Sequence, residues 1–451
     1  MKSVKRGQRL IALILLAFIA GMIILVVKIQ KEASFYMINN NHQVIGKVYD
    51  RNGSVLFDTP KNYYAYDENY FIDVGNIIGD NAGQMTNTLV AKNIEKLNNY
   101  SFSTGLVESG GKSAIYTTLD HHANQAVYNA YGEKKGCAIA YNYITGEILI
   151  CTSLPSVNIV KLYANIDDFE TGTLISKNLY GTVPGSTQKI PTLIAAVETM
   201  GKEELFSKKY TCNGVYTNRS GQTIKCHKLD GHGEQTISEA FSNSCNPYFA
   251  QLVEDTQLPL ESIKKVYNNL GYSINGEKKN YIEIDGIVSE TASTTLENSY
   301  DFDTQWGCIG QGDTLVSPLQ MMLWQSAIAN TSGKMTMPYL IDHVTNVKGK
   351  ITDRAETKLS KSVFSAETAQ TVKEIMLENG KNYSETISGY ELGIKSGTAQ
   401  VKNGEEENSL LAGFVNDRRH PIAFCVLIED KNSGNLKSEY IVKTMLDALC
   451  A

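Results

Sequence analysis

The sequence predicts an α+β fold that follows a single membrane-spanning helix. Three observations support this prediction: an apolar run near the N-terminus, short β-favouring segments grouped towards the two ends of the remaining chain, and helical periodicity between them. Strands and helices that are segregated along a chain are typical of α+β folds. With 451 residues, of which 42% are hydrophobic and 20% charged, the chain has room for two or three globular domains.

The apolar run covers residues 10–27 and is interrupted only by one glycine. It is long enough to cross a bilayer with little tilt. Four basic residues precede it, whereas two basic residues and one acidic residue closely follow it. This asymmetry predicts a cytoplasmic N-terminus and an exported body. A cleaved signal peptide shares the basic start, but its apolar stretch is usually shorter, and no small-x-small cleavage site is obvious here.

We predict four segments along the chain: a cytoplasmic tail (residues 1–9), a transmembrane anchor (10–28), a small N-terminal stalk domain (29–112) and the main domain (113–451). Within the stalk, residues 43–49 and 54–58 are predicted strands, since both are rich in β-favouring side chains. Asn52-Gly53 between them supplies the positive φ that a tight turn needs, so we expect a hairpin.

The main domain is predicted to begin with a strand over residues 114–119 and an amphipathic helix over residues 121–131. Two apolar strands, 137–141 and 147–152, are joined across Thr145-Gly146 as a hairpin. The later predicted elements are a helix over residues 190–200, paired strands over residues 410–415 and 422–429, and a terminal helix with Ile441, Val442, Met445, Leu446 and Leu449 on its apolar face.

Net charge and cysteine content exclude some classes of function. A net charge of −6 without a basic stripe argues against nucleic acid as the main partner. Cys212 and Cys226 bracket a polar loop; a disulfide there would close 15 residues and contribute ~3 kcal/mol, and free thiols are the alternative. A zinc site would recruit His227 and His232, but none of the usual paired ligand spacings is present, so neither metal nor cofactor is predicted. The cysteines interpreted as small buried hydrophobes are Cys137, Cys151, Cys245, Cys308, Cys425 and Cys450.

Candidate catalytic residues occur in three short motifs. The motifs are, in order, Pro184-Gly185-Ser186-Thr187-Gln188-Lys189 running into a helical pattern, Ser244-Cys245-Asn246, and Ile394-Lys395-Ser396-Gly397-Thr398-Ala399 in a strand-like setting.

The first motif has the chemistry of an activated nucleophile. A serine hydroxyl is a weak nucleophile and needs an adjacent base. At a helix start, Ser186 would gain backbone N–H groups and a positive dipole end, both suited to a developing oxyanion. Lys189 lies three residues later on the same helix face and can reach the serine oxygen. To act as a base this lysine must be neutral, so its pKa has to be lowered by burial or by a second cation, for which Lys395 is the natural candidate.

The other two motifs suit proton transfer and substrate binding. Ser244 could relay a proton to a leaving amine, and Asn246 could hold both the catalytic lysine and a substrate amide. Ser396 and Thr398 share one face of a strand and can bind a carboxylate through their hydroxyls. Gly397 between them would let a substrate backbone approach closely.

No single motif is specific. Residues 109–112 and 262–265 repeat the Ser-x-x-Lys pattern, and Ser-x-Asn recurs at 156–158, 176–178 and 273–275, among others. The ordinary explanation of such a pattern is a solvated surface turn. The combination is what favours a catalytic site, because only Ser186 has Pro-Gly before it and an apolar helical run after it, with the other motifs following in order.

The chain resembles class B penicillin-binding proteins, the monofunctional peptidoglycan transpeptidases, over almost its whole length. Besides the three motifs, the resemblance rests on Tyr49-Asp50-Arg51-Asn52-Gly53, Thr118-Leu119-Asp120, Thr145-Gly146-Glu147-Ile148-Leu149, Ser153-Leu154-Pro155-Ser156, His232-Gly233, Gly310-Gln311-Gly312 and Ser317-Pro318-Leu319-Gln320. It implies the fold of penicillin-binding and serine β-lactamase-like transpeptidases, an antiparallel sheet packed between helices.

The resemblance also implies an activity. Ser186 would attack a D-alanyl-D-alanine stem peptide and pass the acyl group to an amine on a neighbouring strand, with the backbone N–H groups of Ser186 and Thr398 as oxyanion hole. β-Lactams would acylate the same serine, and the implied partners are the peptidoglycan stem peptide, the membrane and a membrane glycosyltransferase. Class A is disfavoured, because the segment between anchor and main domain is too short for a glycosyltransferase domain. A D,D-carboxypeptidase, a β-lactamase and a non-catalytic sensor or scaffold remain as alternatives.

Three residues depart from the family pattern. Gln188 occupies a position that is usually apolar, and Ser396 replaces the commoner threonine but keeps the hydroxyl. Pro191 lies early in the helix that carries Ser186, where it removes an N–H, and we expect it to distort the second turn.

Overall fold

The computed structural model describes residues 2–39, 46–58, 70–80, 83–98, 100–101, 105–106, 113–159 and 169–450. The helices are α1 (Lys2–Asn39), α2 (Gly75–Ile78), α3 (Leu89–Lys92), α4 (Ile94–Leu97), α5 (His121–Tyr131), α6 (Lys189–Met200), α7 (Lys202–Ser207), α8 (Ile237–Ser242), α9 (Asn246–Val253), α10 (Leu260–Asn269), α11 (Phe302–Ile309), α12 (Pro318–Ala329), α13 (Ala366–Gly380) and α14 (Ser438–Leu449). Short 3-10 helices cover Lys177–Leu179, Gly185–Gln188, Lys381–Tyr383, Lys402–Gly404 and Lys431–Ser433.

The strands are β1 (Lys47–Tyr49), β2 (Val55–Phe57), β3 (Tyr100–Ser101), β4 (Gly105–Leu106), β5 (Ala114–Thr117), β6 (Gly136–Asn142), β7 (Ile148–Leu154), β8 (Tyr210–Cys212), β9 (Val215–Thr217), β10 (Thr223–Lys225), β11 (Gly233–Gln235), β12 (Tyr272–Ile274), β13 (Tyr281–Ile284), β14 (Ile287–Glu290), β15 (Ala292–Thr294), β16 (Leu315–Val316), β17 (Lys334–Thr336), β18 (Ile341–Thr345), β19 (Ile351–Arg354), β20 (Leu359–Ser362), β21 (Leu392–Val401), β22 (Glu406–Val415) and β23 (Ile422–Ile428).

A five-stranded antiparallel sheet in the order β21-β22-β23-β6-β7 forms the centre of the main domain. Two of its inner strands, β6 and β23, are buried along almost their whole length, because both faces of the sheet are covered by helices. The predicted hairpin across Thr145-Gly146 and the predicted pairing of residues 410–415 with 422–429 are both confirmed. Strands β21 and β22 pair next to each other, and the edge strand β21 carries the third motif.

Each face of this sheet has its own apolar layer. On one side, Val127 of α5 and Ile441 of α14 pack with Phe424 of β23. On the other side, residues of α6, α12 and α13 belong to the same buried cluster as Cys425 of the same strand. Side chains of one strand alternate between the two faces, so both layers are built from one run of apolar residues. The antiparallel sheet packed between helices that the resemblance implies is therefore confirmed.

A second sheet, in the order β19-β18-β5-β1-β2, joins the N-terminal segment to the main domain. The predicted hairpin is confirmed for β1 and β2, while residues 43–45 of the predicted first strand lie outside the described residues. Strand β1 also pairs in parallel with β5, and β5 pairs with β18 from far along the chain. The predicted boundary between residues 112 and 113 runs between paired strands of this sheet, and the division into domains stays a prediction.

Helix α1 contains the predicted anchor. Its segment Lys5–Ile29 is, among the described residues, the one helix that is long and apolar enough to cross a membrane, and none of it is buried against the rest of the protein. An apolar helix that does not pack on a core needs another apolar environment. This agrees with a single membrane span near the N-terminus.

Candidate active site

The predicted nucleophile lies on a tight turn at the start of a buried helix. Ser186 belongs to the 3-10 helix Gly185–Gln188, which leads directly into α6. The distortion expected from Pro191 is absent, since α6 runs without a break from Lys189 to Met200. The four residues before α6, which include Ser186, form a 3-10 helix that continues into it.

The turn packs closely on the third motif because three glycines meet there. A Cβ on Gly397 would lie 2.8 Å from the carbonyl oxygen of Pro184 and 3.2 Å from the Ser186 nitrogen. Gly185 has a φ of +54°, and its Cβ would lie 2.5 Å from the Thr398 carbonyl oxygen. A Cβ on Gly310 would overlap the turn from the other side. The close approach that Gly397 permits in this structure is therefore to the Ser186 turn.

Lys189 forms the centre of the site. Its Nζ lies 2.6 Å from Ser186 Oγ, 2.8 Å from Asn246 Oδ1 and 3.3 Å from Ser244 Oγ. The side chain is 0% exposed. Burial, and secondarily the positive charge of Lys395, lower the pKa of Lys189 well below its usual value. A neutral amine beside a serine hydroxyl is the arrangement that general-base activation requires.

Lys395 contacts the Ser244 hydroxyl, which also contacts Lys189. Its Nζ lies 3.1 Å from Ser244 Oγ and donates to the Ser396 carbonyl oxygen at 2.9 Å. Burial lowers the pKa of Lys395 to about 7. The Ser244 hydroxyl therefore lies between two lysine amines, where a hydroxyl can accept a proton from one neighbour and donate to the other.

The second motif occupies the turn between α8 and α9. Ser244 has a φ of +50°, a left-handed conformation that is uncommon for a residue with a Cβ. Cys245 is the N-cap of α9, and Asn246 is the first residue of this helix. The turn therefore directs both Ser244 and Asn246 towards Lys189. Asn246 Nδ2 donates to the Lys225 carbonyl oxygen at 3.1 Å, while its Oδ1 faces Lys189. Hydrogen bonds at both ends of the amide determine its orientation.

The third motif alternates as its strand setting predicts. Lys395 and Gly397 point inwards, whereas Ser396 and Thr398 lie on the more exposed face of β21. The structure thus brings together all eight residues that the sequence analysis selected. Those residues are Ser186, Lys189, Ser244, Asn246, Lys395, Ser396, Gly397 and Thr398.

Two residues that contact the third motif were not predicted from the sequence. The Tyr383 hydroxyl donates to Ser396 Oγ at 2.8 Å, and Lys431 Nζ lies 3.4 Å from Thr398 Oγ1. Both belong to short 3-10 helices that are remote in sequence from the three motifs. No local pattern marks them, because their contacts depend on tertiary packing.

Gln188, which departs from the family pattern, is buried with its amide satisfied. The Tyr272 hydroxyl donates to Gln188 Oε1 at 2.6 Å, and Gln188 Nε2 donates to the Tyr267 hydroxyl at 3.1 Å. A buried amide is tolerated when its polar atoms are hydrogen-bonded. Two tyrosines thus compensate for a polar residue at a position that is usually apolar.

One group of side chains could hold a metal ion. Cys212 and Cys226, predicted to be a disulfide or free thiols, are free thiols in the structure. They lie beside His232 and Cys245, with the four ligand atoms within 4.8 Å of one another. From the sequence, Cys245 was expected to be a small buried hydrophobe.

Comparison with known proteins agrees with this geometry. The sequence profile of the "Penicillin binding protein transpeptidase domain" matches residues 136–447. Stage V sporulation protein D of Bacillus subtilis is 31% identical over 287 residues, which are 62% of this chain and 42% of that protein. Peptidoglycan D,D-transpeptidase FtsI of Buchnera aphidicola is 25% identical over 330 residues, 70% of this chain and 52% of that protein. The chain thus spans about half the length of these curated relatives.

A solved structure shows the same fold. Penicillin-binding protein A from M. tuberculosis, as a ceftriaxone acyl-enzyme complex, superposes with a TM-score of 0.75 at 19% identity, over 90% of this chain and 98% of that one. The family profile covers both halves of the central sheet and all three motifs. The resemblance noted from the sequence is confirmed, and this chain belongs to the penicillin-binding protein transpeptidase family.

Proposed function

We propose that this protein is a membrane-anchored class B peptidoglycan D,D-transpeptidase with Ser186 as its nucleophile. The observation that carries the proposal is the 2.6 Å contact between Ser186 Oγ and the amine of the fully buried Lys189. The names of two relatives, the D,D-transpeptidases FtsI and MrdA, and the β-lactam acyl-enzymes among the solved structures support this assignment.

Acylation uses the two lysines and the hydroxyl between them. Neutral Lys189 removes the proton from Ser186 Oγ as this oxygen attacks the carbonyl carbon between the two D-alanines. Backbone N–H groups of Ser186 and Thr398 stabilise the oxyanion. As the C–N bond breaks, the Ser244 hydroxyl passes its proton to the leaving amine and receives from Lys189, 3.3 Å away, the proton that Lys189 took from Ser186. Terminal D-alanine departs, and an ester joins Ser186 to the remaining stem peptide.

Deacylation repeats these steps in reverse with another amine. An amine of a neighbouring stem peptide attacks the ester carbonyl, a lysine accepts its proton, and Ser186 leaves as the alkoxide that is reprotonated. The product is a peptide bond between two strands. A β-lactam enters the same acylation step, but its leaving amine stays attached to the acyl group.

Substrate binding is assigned to the exposed face of β21. The hydroxyls of Ser396 and Thr398 bind the terminal carboxylate of the stem peptide. Lys431 Nζ, 3.4 Å from Thr398 Oγ1 and 3.1 Å from a Glu407 carboxylate oxygen, adds a positive charge beside this face. A cation next to two hydroxyl donors favours an anionic ligand group.

The N-terminal helix supports a location at the cell membrane. We place the N-terminus in the cytoplasm and the catalytic domain outside, from the distribution of basic residues around the apolar run. Cross-linking consumes glycan strands that are polymerised at the membrane, so a membrane glycosyltransferase is the proposed partner.

The test compares two serines that share the Ser-x-x-Lys motif. Full-length protein in detergent is labelled with a fluorescent penicillin, alongside Ser186→Ala and the matched control Ser262→Ala. We expect Ser186→Ala to lose labelling and Ser262→Ala to keep it, and labelling that survives in Ser186→Ala contradicts the proposal. Incubation with a D-alanyl-D-alanine stem peptide and an amine acceptor then separates the alternatives. A cross-linked product indicates a transpeptidase, and hydrolysis of the stem peptide alone indicates a carboxypeptidase. Rapid release of hydrolysed, ring-opened penicillin indicates a β-lactamase.

A further inference from the structure

Three thiols and one imidazole converge beside the second motif. The sulfur atoms of Cys212, Cys226 and Cys245 and a ring nitrogen of His232 all lie within 4.8 Å of one another. The three cysteines are almost fully buried, at 1%, 3% and 0% exposure. The four residues come from separate segments, so only the tertiary structure makes them neighbours.

Two glycines make this convergence possible. A Cβ on Gly231 would lie 2.2 Å from the Cys212 carbonyl oxygen, and a Cβ on Gly214 would lie 1.8 Å from the Leu229 carbonyl oxygen. Both glycines have a positive φ, +78° and +85°. The loop between β10 and β11 therefore folds directly onto the end of β8, as no larger residue would allow.

Backbone hydrogen bonds hold the candidate ligands on these segments. The His232 nitrogen donates to the Cys212 carbonyl oxygen at 3.0 Å, and the Cys226 nitrogen donates to the Gly214 carbonyl oxygen at 2.8 Å. The Cys245 nitrogen donates to the Ala240 carbonyl oxygen at 2.9 Å. Three ligand positions are thus preorganised by the backbone, which lowers the entropic cost of binding an ion.

The distance between Cys226 and His232 fits a tetrahedral zinc site. With Zn–S near 2.3 Å and Zn–N near 2.1 Å, a tetrahedron has S···N edges of about 3.6 Å and S···S edges of about 3.8 Å. Cys226 Sγ lies 3.5 Å from His232 Nδ1, close to the S···N edge. Cys137, Cys308 and Cys425 are also buried but, among the described residues, belong to no such group. Three cysteines and one histidine form a complete ligand set with no open position, as in structural zinc sites.

We propose that Cys212, Cys226, His232 and Cys245 bind one zinc ion as a structural site. Three thiolates and a neutral imidazole bind the ion, and the thiol protons are released to solvent on binding. The ligands show none of the usual pair spacings of a zinc site. They come from the end of β8, the position just after β10, the residue before β11, and the turn between α8 and α9.

The zinc ion acts on the active site through Asn246. Cys245 lies between Ser244 and Asn246 in the chain, and Cys226 directly follows Lys225, whose carbonyl oxygen accepts from Asn246 Nδ2. Zinc therefore links the two backbone segments that orient Asn246, which in turn contacts Lys189. This positioning role rests on the function proposed above, whereas the metal site itself does not.

Metal analysis tests the site directly. Full-length protein is purified in detergent without added metal, and its zinc content is measured by mass spectrometry. We expect about one zinc per chain, near zero for Cys212→Ser and His232→Ala, and unchanged content for the control Cys450→Ser. His232→Cys keeps four suitable ligands and should keep zinc, which separates ligand loss from misfolding. Cobalt exchanged into the wild type should show the thiolate charge-transfer and strong visible bands of a tetrahedral site.

The proposal is overturned if the wild type contains no zinc and shows no cobalt bands, including the case in which titration finds two of the three thiols oxidised to a disulfide. Chelation should slow penicillin labelling at least tenfold, and zinc should restore it. Unchanged labelling after zinc removal overturns the positioning role. Ser186→Ala should keep its zinc while losing labelling, so a failure of the proposed function remains distinguishable from a failure of the metal site.

Discussion

Residues 186–189 and 262–265 have the same Ser-x-x-Lys motif at the same end of a helix, in very different surroundings. Lys189 is fully buried, with Ser186, Ser244 and Asn246 within 3.3 Å of its amine. Lys265 is on the exposed face of α10. Water therefore solvates the second lysine, whereas the first is solvated by protein oxygen atoms.

This difference explains why the motif alone is uninformative. Helical spacing brings a serine and a lysine to one face in both cases. Burial, and secondarily the charge of Lys395, lowers the pKa of Lys189 and favours its neutral amine. Both conditions come from other segments of the chain. A base is thus created by the tertiary environment of the motif.

The largest expected effect separates the two lysines. Lys189→Met should lower the rate of acylation by penicillin at least ~10³-fold, because it removes the general base. The matched substitution Lys265→Met should leave this rate unchanged. Time courses of labelling with a fluorescent penicillin measure both rates. Labelling of Lys189→Met within tenfold of the wild-type rate would show that the two motifs do not differ as described.

The second prediction concerns the neighbouring cation. The acylation rate should fall tenfold per pH unit below the lowered pKa of Lys189, because only the neutral amine accepts a proton. Burial sets the pKa of Lys395 to about 7, so Lys395 is positively charged at lower pH and opposes protonation of Lys189. Lys395→Met removes this charge, raises the pKa of Lys189 and should move the acidic limb of the profile to higher pH.

A control for that shift comes from the other motif. Lys264, which pairs with Glu261 on the surface of α10, has no contact with the site. The pH profile of Lys264→Met should coincide with that of the wild type. If Lys395→Met lowers the acylation rate but leaves the acidic limb of the pH profile in place, the effect of Lys395 does not come from its charge.

The smallest expected effect tests the support of the third motif. Tyr383→Phe removes the hydroxyl that donates to Ser396 Oγ at 2.8 Å. The loss of one hydrogen bond of about 0.5–1.5 kcal/mol should weaken penicillin binding roughly two- to tenfold, while acylation at saturating penicillin stays unchanged. Tyr440→Phe, at an exposed position, serves as the control. Equal losses in both parameters would indicate a general structural defect.

Short-range features of this protein were predictable from its sequence. The hairpins across Asn52-Gly53 and Thr145-Gly146 depend on turn residues, and the reach of Lys189 to Ser186 depends on helical spacing. The expected distortion at Pro191 was wrong, because α6 runs through the proline without a break.

Features that depend on tertiary contacts were not predictable. Tyr383 contacts Ser396 because α13 packs beside β21, and nothing near Tyr383 in the sequence signals this. The pairing of β1 with β5, and of β5 with β18, is a second example. The sequence pattern of each strand does not indicate which other strand it pairs with. The cysteine and histidine cluster is a similar case, since metal spacing rules assume ligands close in sequence.

The two five-stranded sheets also constrain the order in which this protein can fold. One sheet pairs β5 with β18, and the other pairs β6 with β23, so each needs strands from both ends of the main domain. Contacts of such high sequence separation form slowly, because loop closure must precede them. During synthesis, β5 and β6 precede these partners and present open edges until the partners are available. We therefore expect folding to be completed only after the C-terminal strands are available, with early strands exposed to aggregation in the meantime.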